Sequence, residues 1–222
     1  MKRIALALLC LLSLAGLLPA SESLDFRWEG VLQSAQRIEI RNVAGNIRAE
    51  AATGDAAEVT ATITGTHPDE IYIDVQNESF GVVITAVFPD NSDSQVDFVV
   101  RVPSGIALYA GTVAGSIDLK LPDNLVEAAV VAGRIAAWLG RINTSGTSVL
   151  SVVNGAVDVE LPADVDAHVH AQTIIGGILT DFPLRVRWSL VGRTLDGNLG
   201  HGGPRLELST VLGGIHLKKA IQ

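Results

Sequence analysis

A short pattern interrupts the strands of this chain six times: an aliphatic pair or near-pair, then Gly, one variable residue and another aliphatic. The copies are Val43-Ala44-Gly45-Asn46-Ile47, Val113-Ala114-Gly115-Ser116-Ile117, Val131-Ala132-Gly133-Arg134-Ile135, Val153-Asn154-Gly155-Ala156-Val157, Ile174-Ile175-Gly176-Gly177-Ile178 and Val211-Leu212-Gly213-Gly214-Ile215. Leu195-Asp196-Gly197-Asn198-Leu199 is a weaker seventh. From Gly115 onward the glycines stand 18, 22, 21, 21 and 16 residues apart. A period of roughly 20 residues around a fixed glycine is the signature of stacked β units, each burying its apolar face only against its neighbours.

Apolar and polar residues alternate through most of the chain, as in Arg37-Ile38-Glu39-Ile40-Arg41 and Asp97-Phe98-Val99-Val100-Arg101-Val102, which is the pattern of half-buried strands. No segment carries a sustained helical period with caps. Aligned on their glycines, the repeats place Ile47, Ile117, Ile135, Val157, Ile178, Leu199 and Ile215 two residues after the Gly. Because i, i+2 and i+4 share one face of a strand, stacking predicts an aliphatic ladder inside. Proline follows several rungs, at Leu121-Pro122, Leu161-Pro162 and Phe182-Pro183, where its missing N–H suits a corner. The expected fold is all-β: a β-solenoid of roughly 20-residue rungs over residues 106–222, preceded by a less regular β section over 21–105. The two meet near Pro103-Ser104-Gly105 and share one continuous core. Chain order is expected to be stacking order, with Leu217-Lys218-Lys219 at an open end where the lysines discourage further copies. A monomer or small oligomer follows.

Residues 1–20 form a separate object. Lys2 and Arg3 precede an apolar run from Ile4 to Leu18, and Pro19-Ala20-Ser21 ends in small residues. About fifteen apolar residues are short of the roughly 20 a span needs, so the segment reads as a secretory leader. Cys10 lacks the small residue that should precede a lipidated cysteine. Removing the leader takes the only Cys and the only Met, and shifts the net charge from −8 to −10 because two cations and no acids leave. An acidic, thiol-free chain suits an oxidising compartment and is repelled by nucleic acid and by anionic membranes. The mature chain has no other stretch of spanning length. The expected location is exported: periplasmic, cell-surface or secreted.

The leader, the Thr112-Val113-Ala114-Gly115-Ser116-Ile117 type of repeat and the closing run Leu206-Glu207-Leu208-Ser209-Thr210-Val211-Leu212-Gly213-Gly214-Ile215-His216-Leu217 together resemble the DUF4097 family. These are bacterial β-strand-repeat proteins carrying an adhesin label. The resemblance runs from about residue 36 onward and implies a β-solenoid and export. It brings no catalytic residues with it.

Candidate chemistry lies on the outward positions. Asp118, Asp158 and His216 stand three after a glycine; Lys120, Trp138, Glu160, Asp181 and Lys218 stand five after. Asp158 and Glu160 share a face, and chain-order stacking would bring Asp181 one rung from Glu160. Such carboxylates could bind calcium or work as an acid/base pair, against the simpler reading of a solvated acidic face. His168 and His170 face the same way but lack a third ligand at metal-site spacing. Gly200-His201-Gly202-Gly203-Pro204 has no following Lys or helix and reads as a wide turn. No Gly-x-Ser-x-Gly occurs. Trp28, Trp138 and Trp188 are the aromatic candidates: Trp138 either stacks on a sugar ring or partner, or tucks under a bend at Gly140.

No catalytic, cofactor or metal residue is assigned on this basis. The expected function is non-enzymatic, an adhesin or envelope scaffold whose partner is an envelope glycan or protein surface. The alternative is a polysaccharide-active enzyme using Asp158, Glu160 and Asp181.

Overall fold

Each repeat glycine stands where a strand turns a corner. Gly115, Gly133 and Gly155 lie midway along Ala107–Leu121 (β8), Val126–Leu139 (β9) and Thr147–Leu161 (β10), with φ of +149°, +147° and +142°. L side chains rarely adopt that backbone, so glycine divides each strand into a first and a second arm. The computed structural model showing this describes residues 22–90, 92–140 and 146–220. The expected leader lies outside the described residues.

These strands pair in parallel and in register, setting Gly115 beside Gly133 and Gly133 beside Gly155. Other copies break into strand pairs about their glycines. Arg37–Arg41 (β2) and Ile47–Ala51 (β3) flank Gly45; Ala167–Ile175 (β11) and Ile178–Thr180 (β12) flank Gly176; Arg205–Leu212 (β15) and Ile215–Lys219 (β16) flank Gly213.

Stacking order departs from chain order at the C-terminal end. β15 and β16 insert between β10 on one side and β11 and β12 on the other. The expectation that Lys218 and Lys219 close an open end is therefore wrong: their tier is internal. Insertion gives this tier a parallel partner on both sides, and the repeat permits it because every tier offers similar residues in similar columns. Gly192–Leu199 (β14) then pairs antiparallel with β11, and Val186–Ser189 (β13) pairs antiparallel with β14. Gly197 lies in β14 and makes no bend, so the weak seventh copy is a capping strand and not a rung.

At the other end, Gly81–Val87 (β6) lies beside β2 and Gln95–Val102 (β7) beside β3. No repeat glycine joins β6 to β7, and this tier together with β4 and β5 fills the long interval between Gly45 and Gly115. Tyr72–Glu78 (β5) covers β6; Ala56–Gly65 (β4) covers β7, and Glu22–Val31 (β1) covers β4, all antiparallel. A single 3-10 turn, Pro68–Glu70, precedes β5. Among the described residues the protein is all-β, built on one large mixed sheet of 16 strands that does not close on itself.

The aliphatic ladder is present. Ile47, Ile117, Ile135, Val157, Ile215 and Ile178 lie side by side in one column, all buried. Ile40, Ala110, Ala128, Leu150, Leu208 and Ala171 form the matching column of the first arm. Each large side chain so buried contributes roughly 1.5–3 kcal/mol before entropy is counted. The hydroxyls of Thr112, Thr210 and Thr173 donate to the carbonyls of Gly45 (3.2 Å), Gly155 (3.4 Å) and Gly213 (3.0 Å), so buried polar groups at the bend are satisfied.

The aliphatic residues just before each glycine are a different matter. Val43, Val113, Val131, Val153, Val211 and Ile174 are 40–50% exposed. The positive φ breaks the in-out alternation at the corner, and the residues on either side of it all point outward. The motif thus contributes one aliphatic to the core and one to the surface.

Candidate functional site

Two outer faces carry the candidate residues. Along the second arm, strand register sets Asp118 beside Ala136 and Ala136 beside Asp158, with His216 next to Asp158. The adjacent column runs Glu50, Lys120, Trp138, Glu160, Lys218. The sequence places these columns correctly up to Glu160. Beyond it, the inserted C-terminal tier puts Lys218 between Glu160 and the column position of Asp181, so the expected carboxylate group does not assemble.

Asp158 is the most engaged group of this face. Its carboxylate lies 3.1 Å from Arg134 Nε, 3.1 Å from Lys218 Nζ and 3.9 Å from His216 Nδ1. Asp181 accepts a hydrogen bond from the Lys219 backbone N–H at 3.2 Å. Acids held this way are compensated charges on a hydrated ladder, each pair worth at most about 1 kcal/mol. Trp138 is 38% exposed between Lys120 and Glu160.

His168 and His170 do share a face, and they meet a partner that the sequence did not suggest. β11 pairs with β14, placing Asp196 Oδ2 at 2.9 Å from His170 Nδ1 and 3.5 Å from His168 Nε2, with Asn198 Oδ1 at 2.8 Å from His168 Nδ1. Among the described residues no group of three or more His, Cys, Asp and Glu side chains is placed to hold a metal ion. The glycine-rich run 200–204 connects β14 to β15, and the His201 N–H donates to Asp166 Oδ1 at 2.7 Å.

The first arm's outer face was not singled out by the sequence. Its middle column is small: Gly111, Ala129, Ser151 and Ser209 lie side by side. The exposed valine column rises on one side of this floor, and Glu39, Tyr109 and Glu127 rise on the other. They enclose a shallow groove of about 430 Å³ near the middle of the sheet. The signal was available: small residues recur four before each of these glycines while valine recurs two before.

Charged side chains border the groove. Glu39 accepts from Arg37 Nη2 at 3.1 Å and from Arg41 at 2.8 and 2.5 Å, and Arg37 in turn stacks on Phe80 and Tyr109 at 4.0 and 4.5 Å. Burial pushes the Glu39 carboxyl upward, but the hydrogen bonds and charges of Arg41 and Arg37 outweigh it and hold it below its ordinary 4.5. Asp196 is likewise held below its ordinary 3.8, first by the hydrogen bond from His170, against a smaller desolvation and with the charges of His168, His170 and Arg205 adding. A depressed carboxylate stabilises the fold fully above its unfolded value and loses that contribution as pH falls through the folded one. Thermal stability is expected to fall below about pH 4.5, and Glu39→Gln to flatten that fall in a melting series across pH 2 to 6. An unchanged acid limb in Glu39→Gln would remove Glu39 as its source.

No family model matches the sequence, and no curated protein matches it. Solved structures do. A putative cell adhesion protein from Clostridium sporogenes is similar at a TM-score of 0.59 and 9% identity, the match covering 88% of this chain and 100% of that one. A putative adhesin from Bacteroides fragilis aligns over 87% of this chain and 96% of its own, at 10% identity and a TM-score of 0.32. One from Parabacteroides merdae aligns over 89% and 96%, at 11% and 0.27. The Clostridium protein and this one share a fold. At such identity the likeness extends no further than that.

Proposed function

We propose that this protein is an exported, non-enzymatic β-strand-repeat protein of the DUF4097 kind, acting as an adhesin or envelope scaffold, with its bent parallel tiers forming a β-solenoid. Residues 21–105 cap and begin the stack, 106–222 complete it, and both share one core. The observation that carries the reading is the outer face of the first arm, where six aliphatic side chains stand exposed and three of them, Val113, Val131 and Val153, border a groove with a small-residue floor. A soluble protein gains nothing by repeating exposed valine at every tier, and stacked apolar side chains beside polar ones are what a protein-binding surface offers. The compensated state of Asp158 and the separation of Asp181 from Glu160 weigh against the polysaccharide-active alternative. Among the described residues, no helix is long and apolar enough to cross a membrane.

The test is retention on envelope fractions of the producing bacterium by the wild type and by Val113→Asp/Val131→Asp. Loss of retention on the order of tenfold, with an unchanged circular dichroism spectrum, is expected from removing a central apolar contact. Equal retention would sink the reading. A second reading, an envelope glycan as ligand, is favoured by Trp138 standing exposed between Lys120 and Glu160. Quenching of its fluorescence by isolated glycans, absent in Trp138→Phe, would select it. New reducing ends or unsaturated products from those glycans would instead mean an enzyme.

A further inference from the structure

The hairpin of β13 and β14 is unlike the rest of the molecule in charge and in exposure. Between Leu184 and Arg193 it carries Arg185, Arg187 and Arg193 and no acid, in a chain whose net charge is −8. Ser189 pairs with Gly192, leaving Leu190 and Val191 as the two-residue tip. Leu190 is fully exposed, Trp188 76% and Val191 72%. Arg193 lies 3.9 Å over the Trp188 ring, so cation and indole sit together at the tip. Among the described residues neither Arg185 nor Arg187 has an acidic partner within ion-pair distance. Ile174 (50%) and Ile175 (63%) lie beside the tip and extend its apolar area, Gly192 packing against the backbone of Thr173 and Ile174.

We propose that this hairpin docks the protein peripherally on an anionic phospholipid bilayer, with Trp188, Leu190 and Val191 entering the interface and Arg185, Arg187 and Arg193 meeting the headgroup phosphates. An acidic molecule is repelled by such a surface at long range, but over the roughly 8 Å of a physiological Debye length the local arginines decide the sign. Indole and guanidinium are at home in the headgroup layer, where one end of each group is apolar and the other wet or charged. The aliphatic tip selects a bilayer over a hydrated polyanion: leucine and valine gain nothing from phosphate, but gain from the acyl boundary in proportion to buried area. Three arginines and one short apolar tip give reversible binding, far from the strength of a span.

The experiment is co-sedimentation of the full chain and its variants with vesicles of phosphatidylcholine alone and of phosphatidylcholine with phosphatidylglycerol. Trp188 emission, taken as the difference between wild type and Trp188→Phe, is read in parallel, so that the apolar leader, common to all variants, does not enter that signal. Binding to phosphatidylglycerol vesicles with a blue shift of Trp188 is expected, weakening with added salt. Arg185→Gln and Arg187→Gln should each weaken it about fivefold. Leu190→Asn/Val191→Ser should weaken it on the order of tenfold with circular dichroism unchanged. No Trp188 shift on phosphatidylglycerol vesicles would overturn the proposal. So would tip-independent binding, or equal binding to soluble polyphosphate, which would make the partner a polyanion.

Discussion

Gly155→Ala is expected to unfold the protein at ambient temperature or to lower its melting point further than any other single methyl addition. Gly155 has φ +142°, and a Cβ built there would fall inside the carbonyl oxygen of Gly133. The same relation passes along the stack. A Cβ on Gly133 would meet the Gly115 carbonyl, one on Gly115 the Gly45 carbonyl, one on Gly213 that of Gly155, and one on Gly176 that of Gly213. The bends form one column of backbone touching backbone, at the pairing distance of roughly 4.8 Å that leaves no room for a side chain. A strained φ contributes 1–3 kcal/mol and the overlap with a fixed carbonyl a similar amount, about 4 kcal/mol together, which is most of a marginal domain's stability. Because tiers support their neighbours, the damage should spread in both directions. Gly54, with open space around its Cβ position, is the control: Gly54→Ala should melt within about a degree or two of wild type. A Gly155→Ala protein that melts like Gly54→Ala would mean the glycines are not stacked.

That column explains why so much of the architecture was legible. The glycine is required by geometry at six of the tiers, where it marks the register, and the aliphatic two residues later falls in the core at Ile47, Ile117, Ile135, Val157, Ile178 and Ile215 alike. What the pattern does not carry is which tier lies beside which. Ile215 and Ile178 offer Val157 nearly the same surface, so pairing preference between neighbouring tiers is weak and the antiparallel return through β14 decides the order. The error over Asp181 followed from this, since an inserted tier moves every outward neighbour by one step and puts Lys218 where a carboxylate was expected. The groove was missed for a different reason. Valine before a glycine reads as core by hydrophobicity alone, yet it continues the outward set of the first arm, opposite buried Leu108, Ala110 and Thr112, and the left-handed bend then resets the alternation so that Ile117 is buried again.

Val157→Asp provides the second large effect and tests the ladder directly. Val157 is fully buried between Ile135 and Ile215, with no polar group in its column to receive a charge. A carboxylate there must be buried unpaired or take a proton, and either route costs several kcal/mol, about 3–5 by analogy with broken buried pairs. The matching surface change needs care. Ala136 faces outward, but its neighbours in the column are Asp118 and Asp158, so Ala136→Asp would line up three carboxylates and is expected to destabilise by some tenths of a kcal/mol at low salt. Ala136→Lys reverses the sign: the ammonium lies between two acids and should leave the melting point equal or slightly raised, the gain fading as salt is added. Thermal melts of the three variants at two salt concentrations therefore separate core from surface and fix the order of the outer column. If Ala136→Asp and Ala136→Lys respond to salt with the same sign, Ala136 does not lie between Asp118 and Asp158, and if Val157→Asp melts with them the ladder itself is misassigned.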